Sequence, residues 1–333
     1  MRLVRRILTT LVISIAAIPA ITLALVFSQS PQAYKSDDQT LKFASVLPPE
    51  PVDVPLQTYR AEDGTELGYR YFPAKTADAP LVILIHGSGW HGGSYQWLAR
   101  QISAGGDIAV AVPDLRGHGP APARRGDVDY IGQLEDDVAA LAHQLLKPGQ
   151  KFILAGHSSG GGLVIRFAGG KWGSMLDGAV LMSPFLKYDA PTMRENAGGW
   201  AHPLIRRAIG LTILDAMGIH ALDGLTVVTF QFPKSVLEGP LGNTATTHYS
   251  QRLNVSYAPR RDYRGDVAKL PPFLLVAGKE DEAFKADQFE PVLSSANPKG
   301  EYHLLDGVNH LGLINTQQTA DLTRGFVRKV AGK

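Results

Sequence analysis

The stretch Lys151-Phe152-Ile153-Leu154-Ala155-Gly156-His157-Ser158-Ser159-Gly160-Gly161-Gly162 decides how the rest of the chain is read. Lys151 to Ala155 is a short apolar run of strand type. Gly156 to Gly160 fits G-x-S-x-G, and Leu163 to Ala168 is compatible with a helix. A sharp strand-to-helix turn of this kind exposes a serine oxygen at the end of a strand, and it needs glycine where side chains would clash. G-x-S-x-G alone arises by chance, and its bland alternative is a glycine-rich turn. The strand before it and the three glycines that close it make Ser158 the candidate nucleophile.

Working outward, the runs Leu81 to Ile85, Ile108 to Val112, Ala179 to Met182, Phe273 to Ala277 and Tyr302 to Leu305 are also short and almost continuously apolar. Such runs suit strands buried on both faces, as in a parallel sheet. Helical patterns separate them: Leu134, Val138, Leu141 and Leu145 recur at helical spacing, as do Leu322, Phe326 and Val330. Leu56 to Phe72 carries Asp63-Gly64 between two β-prone stretches, a hairpin signal. The alternation predicts an α/β fold built on a doubly wound, mostly parallel sheet. Residues 184–265 interrupt it with helical pieces around Leu204 to Met217 and loops rich in glycine and proline, and are expected to form an inserted cap.

A serine hydroxyl is a poor nucleophile near neutral pH. It needs a base within hydrogen-bond reach and an acid to orient that base. In nucleophile-elbow folds the chain order is serine, acid, histidine. Asp281 follows the strand Phe273 to Ala277, and His310 follows the strand Tyr302 to Leu305. Both are therefore at strand C-termini, where open α/β sheets place their chemistry. Glu280, Glu282 and Asp287 are rivals to Asp281. His202, His220 and His248 fall in the cap and His303 in a strand, while His86, His118 and His157 belong to turns expected to shape the site. An oxyanion needs fixed donors. The Ser159 N–H supplies one, and the loop His86-Gly87-Ser88-Gly89 a second, through Ser88 with Gly89 as the alternative.

His86-Gly87-Ser88-Gly89, Asp114-Leu115-Arg116-Gly117-His118-Gly119, Gly156 to Gly161, Gly278 to Asp281 and Asn309-His310 together resemble the monoacylglycerol lipase and lysophospholipase branch of α/β-hydrolases, sometimes grouped with serine aminopeptidases. The resemblance runs from about Tyr59 to Val330. It implies Ser158, Asp281 and His310 as the triad, the Ser88 and Ser159 amides as oxyanion hole, hydrolysis of esters with one acyl chain, and no cofactor. Two departures bear on substrate. Trp90-His91 follows Gly89 where the family often has Glu-His, and the cap shows no match.

At the N-terminus, Ile7 to Phe27 is uncharged and mainly apolar, preceded by Arg2, Arg5 and Arg6 and followed by Lys35, Asp37 and Asp38. As a helix it would be about 31 Å long, roughly one hydrocarbon core. The flanking charge keeps the N-terminus cytoplasmic and sends the remainder across. Residues 1–30 are thus expected to be a signal anchor, giving a membrane-anchored enzyme facing the extracytoplasmic side. The alternative is a signal peptide cleaved near Ser28-Gln29-Ser30, giving a secreted one. Residues 31–55, with five prolines, read as a linker, and 56–333 as the catalytic domain.

A formal charge of +2, with no block of like charges, gives no electrostatic footprint for nucleic acid. The absence of cysteine excludes disulfides, thiolate zinc sites and a cysteine nucleophile. No H-E-x-x-H occurs, and no metal is expected. Ester hydrolysis through Ser158, on a small-molecule or lipid-like ester, is the leading expectation. A peptidase or acyltransferase would use the same triad, but ten Lys/Arg against seven Asp/Glu in residues 184–269 disfavour a site for a substrate ammonium. A non-catalytic binding protein would commonly have lost a triad member. The apolar residues Leu204, Ile205, Ile209, Leu211, Ile213, Leu214 and Met217 are expected either to line an acyl groove or to pack the cap onto the core.

Overall fold

A computed structural model describes residues 17–31 and 41–332. The strands are β1 (Gln57–Arg60), β2 (Glu66–Phe72), β3 (Leu81–Ile85), β4 (Ala109–Pro113), β5 (Phe152–His157), β6 (Gly178–Met182), β7 (Ala201–Pro203), β8 (Thr226–Phe230), β9 (His248–Ser250), β10 (Phe273–Gly278) and β11 (Gly300–Leu305). The helices are α1 (residues 17–27), α2 (Gln96–Ser103), α3 (Gln133–Leu145), α4 (Ser159–Gly169), α5 (Ile205–Ala216), α6 (Lys234–Leu237), α7 (Gln251–Tyr257), α8 (Tyr263–Ala268), α9 (Phe289–Ser294) and α10 (Gln317–Val330).

Eight strands form one sheet in the order β1-β2-β4-β3-β5-β6-β10-β11. β1 and β2 make the predicted hairpin around Asp63-Gly64, where Gly64 takes φ +84°. β2 runs antiparallel to β4, and every pairing from β4 to β11 is parallel. The continuous apolar character of β3 has a direct physical cause. Leu81, Ile83 and Ile85 enter the core under α3 and α4, whereas Val82 and Leu84 enter the opposite core with Leu98 of α2 and Val327 of α10. Both faces are covered, so neither alternate set can be polar.

Between β6 and β10 the chain leaves the sheet. α5 and a three-stranded antiparallel sheet, β7-β8-β9, lie within the predicted cap. That small sheet was not legible in the sequence, since β7 and β9 have three residues each, too few to show alternation. α7, also within residues 184–265, and α8, which straddles the end of that range, pack on α4 of the main domain.

Two N-terminal features bear on the expectation. First, among the described residues no helix is long and apolar enough to cross a membrane. The described helix begins at residue 17, and the earlier part of the apolar run, with Arg2, Arg5 and Arg6, lies outside the described residues, as do Lys35, Asp37 and Asp38. What is described of it, α1, lies along α5. Val26 packs with Leu211, Leu214 and Val227. Gly210 permits the approach, because a Cβ there would sit 2.7 Å from Val26 Cγ2 and 2.9 Å from the Thr22 carbonyl. The buried Arg207 donates to the carbonyls of Val26 (3.0 Å) and Thr226 (2.9 Å), and to that of Gln29. Ile18, Ile21, Leu23 and Phe27 of α1 remain exposed beside Ile205 and Ile209 of α5. Leu211 and Leu214 of α5 thus pack against Val26 of α1 and Val227 of β8, while Ile205 and Ile209 are exposed.

Second, the described part of the expected linker, residues 41–55, is attached to the domain. Leu41 is buried, Phe43–Val46 is a 3₁₀ turn, and Val52 and Val54 pack against the core. The Val54 N–H donates to Gln96 Oε1 at 2.6 Å. These contacts are made to loops and side chains one residue at a time, so no periodicity announced them.

Candidate active site

The turn from β5 into α4 holds Ser158 at φ 55°, ψ −123°, a conformation that L-residues avoid and that costs about 1–3 kcal/mol. Close packing imposes it. A Cβ on Gly160 would lie 2.5 Å from the His86 carbonyl, and one on Gly156 would lie 2.3 Å from the Gly160 carbonyl. Backbone bonds fix the serine on both sides: its N–H donates to Met182 O (2.9 Å), and its carbonyl accepts from Phe185 N (2.9 Å). Ser159 is the first residue of α4, so its N–H points out of the helix N-terminus beside Ser158.

His310 follows β11 and is buried. Its Nδ1 lies 2.9 Å from Asp281 Oδ2, in the loop after β10. Asp281 Oδ1 accepts from the N–H groups of Ala283 (2.9 Å) and Phe284 (2.8 Å). Burial works to raise the Asp281 pKa, but the neighbouring His310 and these donors outweigh it and hold the carboxyl below its ordinary value. An ionised carboxylate only accepts, so Nδ1 carries the proton and Nε2 is left as the basic nitrogen. The rivals are placed elsewhere. Glu280 and Asp287 are exposed, and Glu282 Oε2 accepts from the His310 N–H at 3.0 Å, holding the backbone rather than the ring.

The loop after β3 is secured by two tyrosines that the sequence reading missed. The Gly87 N–H donates to Tyr95 Oη (2.8 Å), Tyr95 O–H to His157 Nδ1 (2.8 Å), and His157 Nε2–H to the His310 carbonyl (3.0 Å). In parallel, the Gly89 N–H donates to Tyr249 Oη (2.7 Å), Tyr249 O–H to His118 Nε2 (2.6 Å), and His118 Nδ1–H to the Arg116 carbonyl (3.0 Å). Of three successive amides the outer two are committed. Gly89 is thereby removed as an alternative, and Ser88 between them stands at the pocket wall. Burial keeps these histidines neutral: His157 is pushed down to about 3, further lowered by His310, His86 to about 4, and His118 well below its ordinary value. Tyr95 and Tyr249 are 8 and 160 residues from the glycines they hold, so no local motif could reveal them.

Ser158 and His310 line one narrow pocket, walled by Ser88, Trp90, Trp200, Phe232, Leu311 and Ile314, and by Leu41, Phe43 and Val46 of the N-terminal segment. Trp200 Nε1 donates to Ser88 Oγ at 3.2 Å. The cap histidines His202, His220 and His248, and His303 on β11, do not line it. Among the described residues, Asp215, His220 and Asp223 bring possible metal-ligand atoms within 4.8 Å of one another. They sit at the C-terminal end of α5, Asp215 in its last turn and His220 and Asp223 beyond it, and do not line this pocket.

Residues 77–223 match the family model described as serine aminopeptidase, S33. Human monoglyceride lipase is 34% identical over 126 residues, 37% of this chain and 41% of that enzyme, so the chain spans less than half the length of this relative. The solved structure of a soluble variant of monoglyceride lipase from Saccharomyces cerevisiae, with a substrate analogue, superposes with a TM-score of 0.64 at 17% identity, covering 90% of this chain and 99% of that one. A bacterial membrane phospholipase A superposes at 0.56 with 16% identity, covering 99% and 100%. At such identities the structures establish a shared fold.

Proposed function

We propose that this chain, which shares the α/β-hydrolase fold and resembles the monoacylglycerol lipase and lysophospholipase branch, hydrolyses carboxylic esters through an acyl-enzyme on Ser158. The observation that carries the reading is that Ser158 and His310 share one pocket while His310 Nδ1 is committed to Asp281. His310 Nε2 takes the hydroxyl proton as Ser158 Oγ attacks the ester carbonyl. The amides of Ser88 and Ser159 receive the oxyanion, and the imidazolium returns its proton to the leaving alcohol. Water, activated by the same Nε2, then cleaves the acyl-enzyme. Asp281 orients the ring and stabilises its charge, with no proton transfer of its own.

The apolar and aromatic wall supports a lipid-like mono-acyl ester, as do the names of the related lipases. An aminopeptidase is less well supported, because the residues lining the pocket include no carboxylate to receive an α-ammonium. Attachment to a membrane through the N-terminal segment, with the catalytic domain outside the cytoplasm, is part of the same reading. Its supports are the apolar run Ile7 to Phe27 and the exposed side chains that α1 and α5 present together. The burial of Arg207 against carbonyls near the end of α1 favours a retained anchor over cleavage near Ser30.

The test is labelling with a fluorophosphonate probe and hydrolysis of p-nitrophenyl esters by the full chain in detergent. Ser158→Ala should fold normally, lose the label, and lose roughly 10⁴–10⁶ in kcat. A label that persists in Ser158→Ala removes the assignment.

A further inference from the structure

We propose that the segment Leu41–Val46 is a specificity element of the active site, with Phe43 as the side chain that limits how long an apolar chain the ester can carry. The proposal rests on the reading of Ser158 as nucleophile. Leu41, Phe43 and Val46 line the same pocket as Ser158 and His310, although they precede the first strand of the catalytic domain. The ring of Phe43 lies 5.4 Å from that of Trp200 and 5.6 Å from that of Phe232, which are themselves 4.8 Å apart. These three rings come from the N-terminal segment and two separate parts of the cap excursion. They meet directly above the loop that carries Ser88, to whose Oγ Trp200 donates.

The segment is held in place by polar bonds that end on the His310 loop. The Lys42 N–H donates to Glu282 Oε1 (3.3 Å), and the other oxygen of that carboxylate accepts the His310 N–H. Asn309 Nδ2 donates to Ser45 Oγ (2.9 Å). Asn315 Nδ2 donates to the carbonyls of Ser45 (2.8 Å) and Val46 (2.9 Å). These contacts, from side chains on both flanks of His310 to the side chain of Ser45 and the backbone of Ser45 and Val46, fix Phe43 between catalytic loop and cap. A wall fixed in this way sets a length cut-off. A chain carbon that fits gains the apolar burial worth about fourfold in binding per methylene, and one that meets Phe43 gains nothing.

The experiment measures kcat/KM of the full chain on p-nitrophenyl esters from acetate to decanoate and on acetate esters of graded alcohols. Wild type, Phe43→Ala and Val46→Phe are compared, with fluorophosphonate labelling of Ser158 as the control for an intact triad. Phe43→Ala should move the optimum two to four carbons longer in one of the two series, raising the long-to-short ratio at least tenfold. Val46→Phe should move it shorter. The ratio between chain lengths, unlike the absolute rate, does not respond to a general loss of stability. Should Phe43→Ala fail to fold, Val46→Phe decides alone. Profiles that coincide with wild type in both series, with Ser158 still labelled, overturn the proposal. A wild-type chain that takes no label overturns instead the ester-hydrolase reading beneath it.

Discussion

The imidazole of His157 lies 4.6 Å from that of His310, centroid to centroid, and its Nε2–H donates to the His310 carbonyl at 3.0 Å. The residue before Ser158 thus supports the backbone of His310. The same ring continues through Tyr95 to the Gly87 amide, so one hydrogen-bonded file joins the turn after β5, the loop after β3 and the loop after β11.

His157 is a positioning residue on this geometry. His157→Leu removes the donor to His310 O and should lower kcat about 10²-fold, the scale of a misplacement near 1 Å, with KM little changed. His157→Gln, which can still donate, should recover part of the loss. Equal rates for the two variants would show that the bond is not what matters.

The buried histidines make the fold sensitive to acid. His157 and His86 have native pKa values of about 3 and 4 against 6.5 for the exposed ring, and His118 is lowered too. The unfolded chain therefore binds more protons below pH 6.5, and stability present above that pH falls as the pH drops towards 4. Each ring contributes a slope of up to about 1.4 kcal/mol per pH unit in that window. Thermal melting between pH 7.5 and 4.5 should show Tm falling well before carboxylates titrate. A flat Tm down to pH 4.5 would contradict the assignment of these rings as neutral.

Two adjacent carboxylates hold different parts of His310, Asp281 its ring and Glu282 its backbone N–H. Asp281→Asn should keep the fold and cost near 10⁴ in rate, by analogy with other triads, because an amide cannot hold the His310 tautomer. Glu282→Gln keeps an acceptor for the His310 N–H and should cost less than about tenfold, the scale of one net hydrogen bond. Rate measurements on both variants check this, and a reversed order would move the acid to Glu282.

The seat of α1 on α5 depends on the bare backbone of Gly210. Gly210→Leu should push α1 away and lower stability by about 1–3 kcal/mol, the usual cost of overpacking. Limited proteolysis near Ser28 to Pro31 should accelerate. Unchanged melting and cleavage would mean that the two helices are not held together in solution.

The elbow, the two loops after β10 and β11, and the parallel core were legible because each is encoded locally. Ser158 sits in a motif whose glycines answer nearby backbone, and β3 is apolar throughout because both its faces are covered. What escaped reading is encoded by distance. Tyr249 reaches Gly89 from 160 residues away, and Phe43 reaches Trp200 and Phe232 from a proline-rich stretch with no pattern of its own. The apolar face of α5 was visible, but its partner was not: Val26, from the other end of the chain, covers Leu211 and Leu214.

The grip of the cap excursion on Gly89 bears on how this region can be exchanged. Tyr249 of β9 accepts from the amide of Gly89, and the Thr246 N–H, just before β9, donates to its carbonyl at 2.8 Å, so the excursion clasps the His86 to Gly89 loop. The excursion is therefore no interchangeable part that could be swapped between relatives to import a new substrate range. A chimera that replaced it without a tyrosine at the position of Tyr249 would inherit a new roof over a loosened catalytic floor.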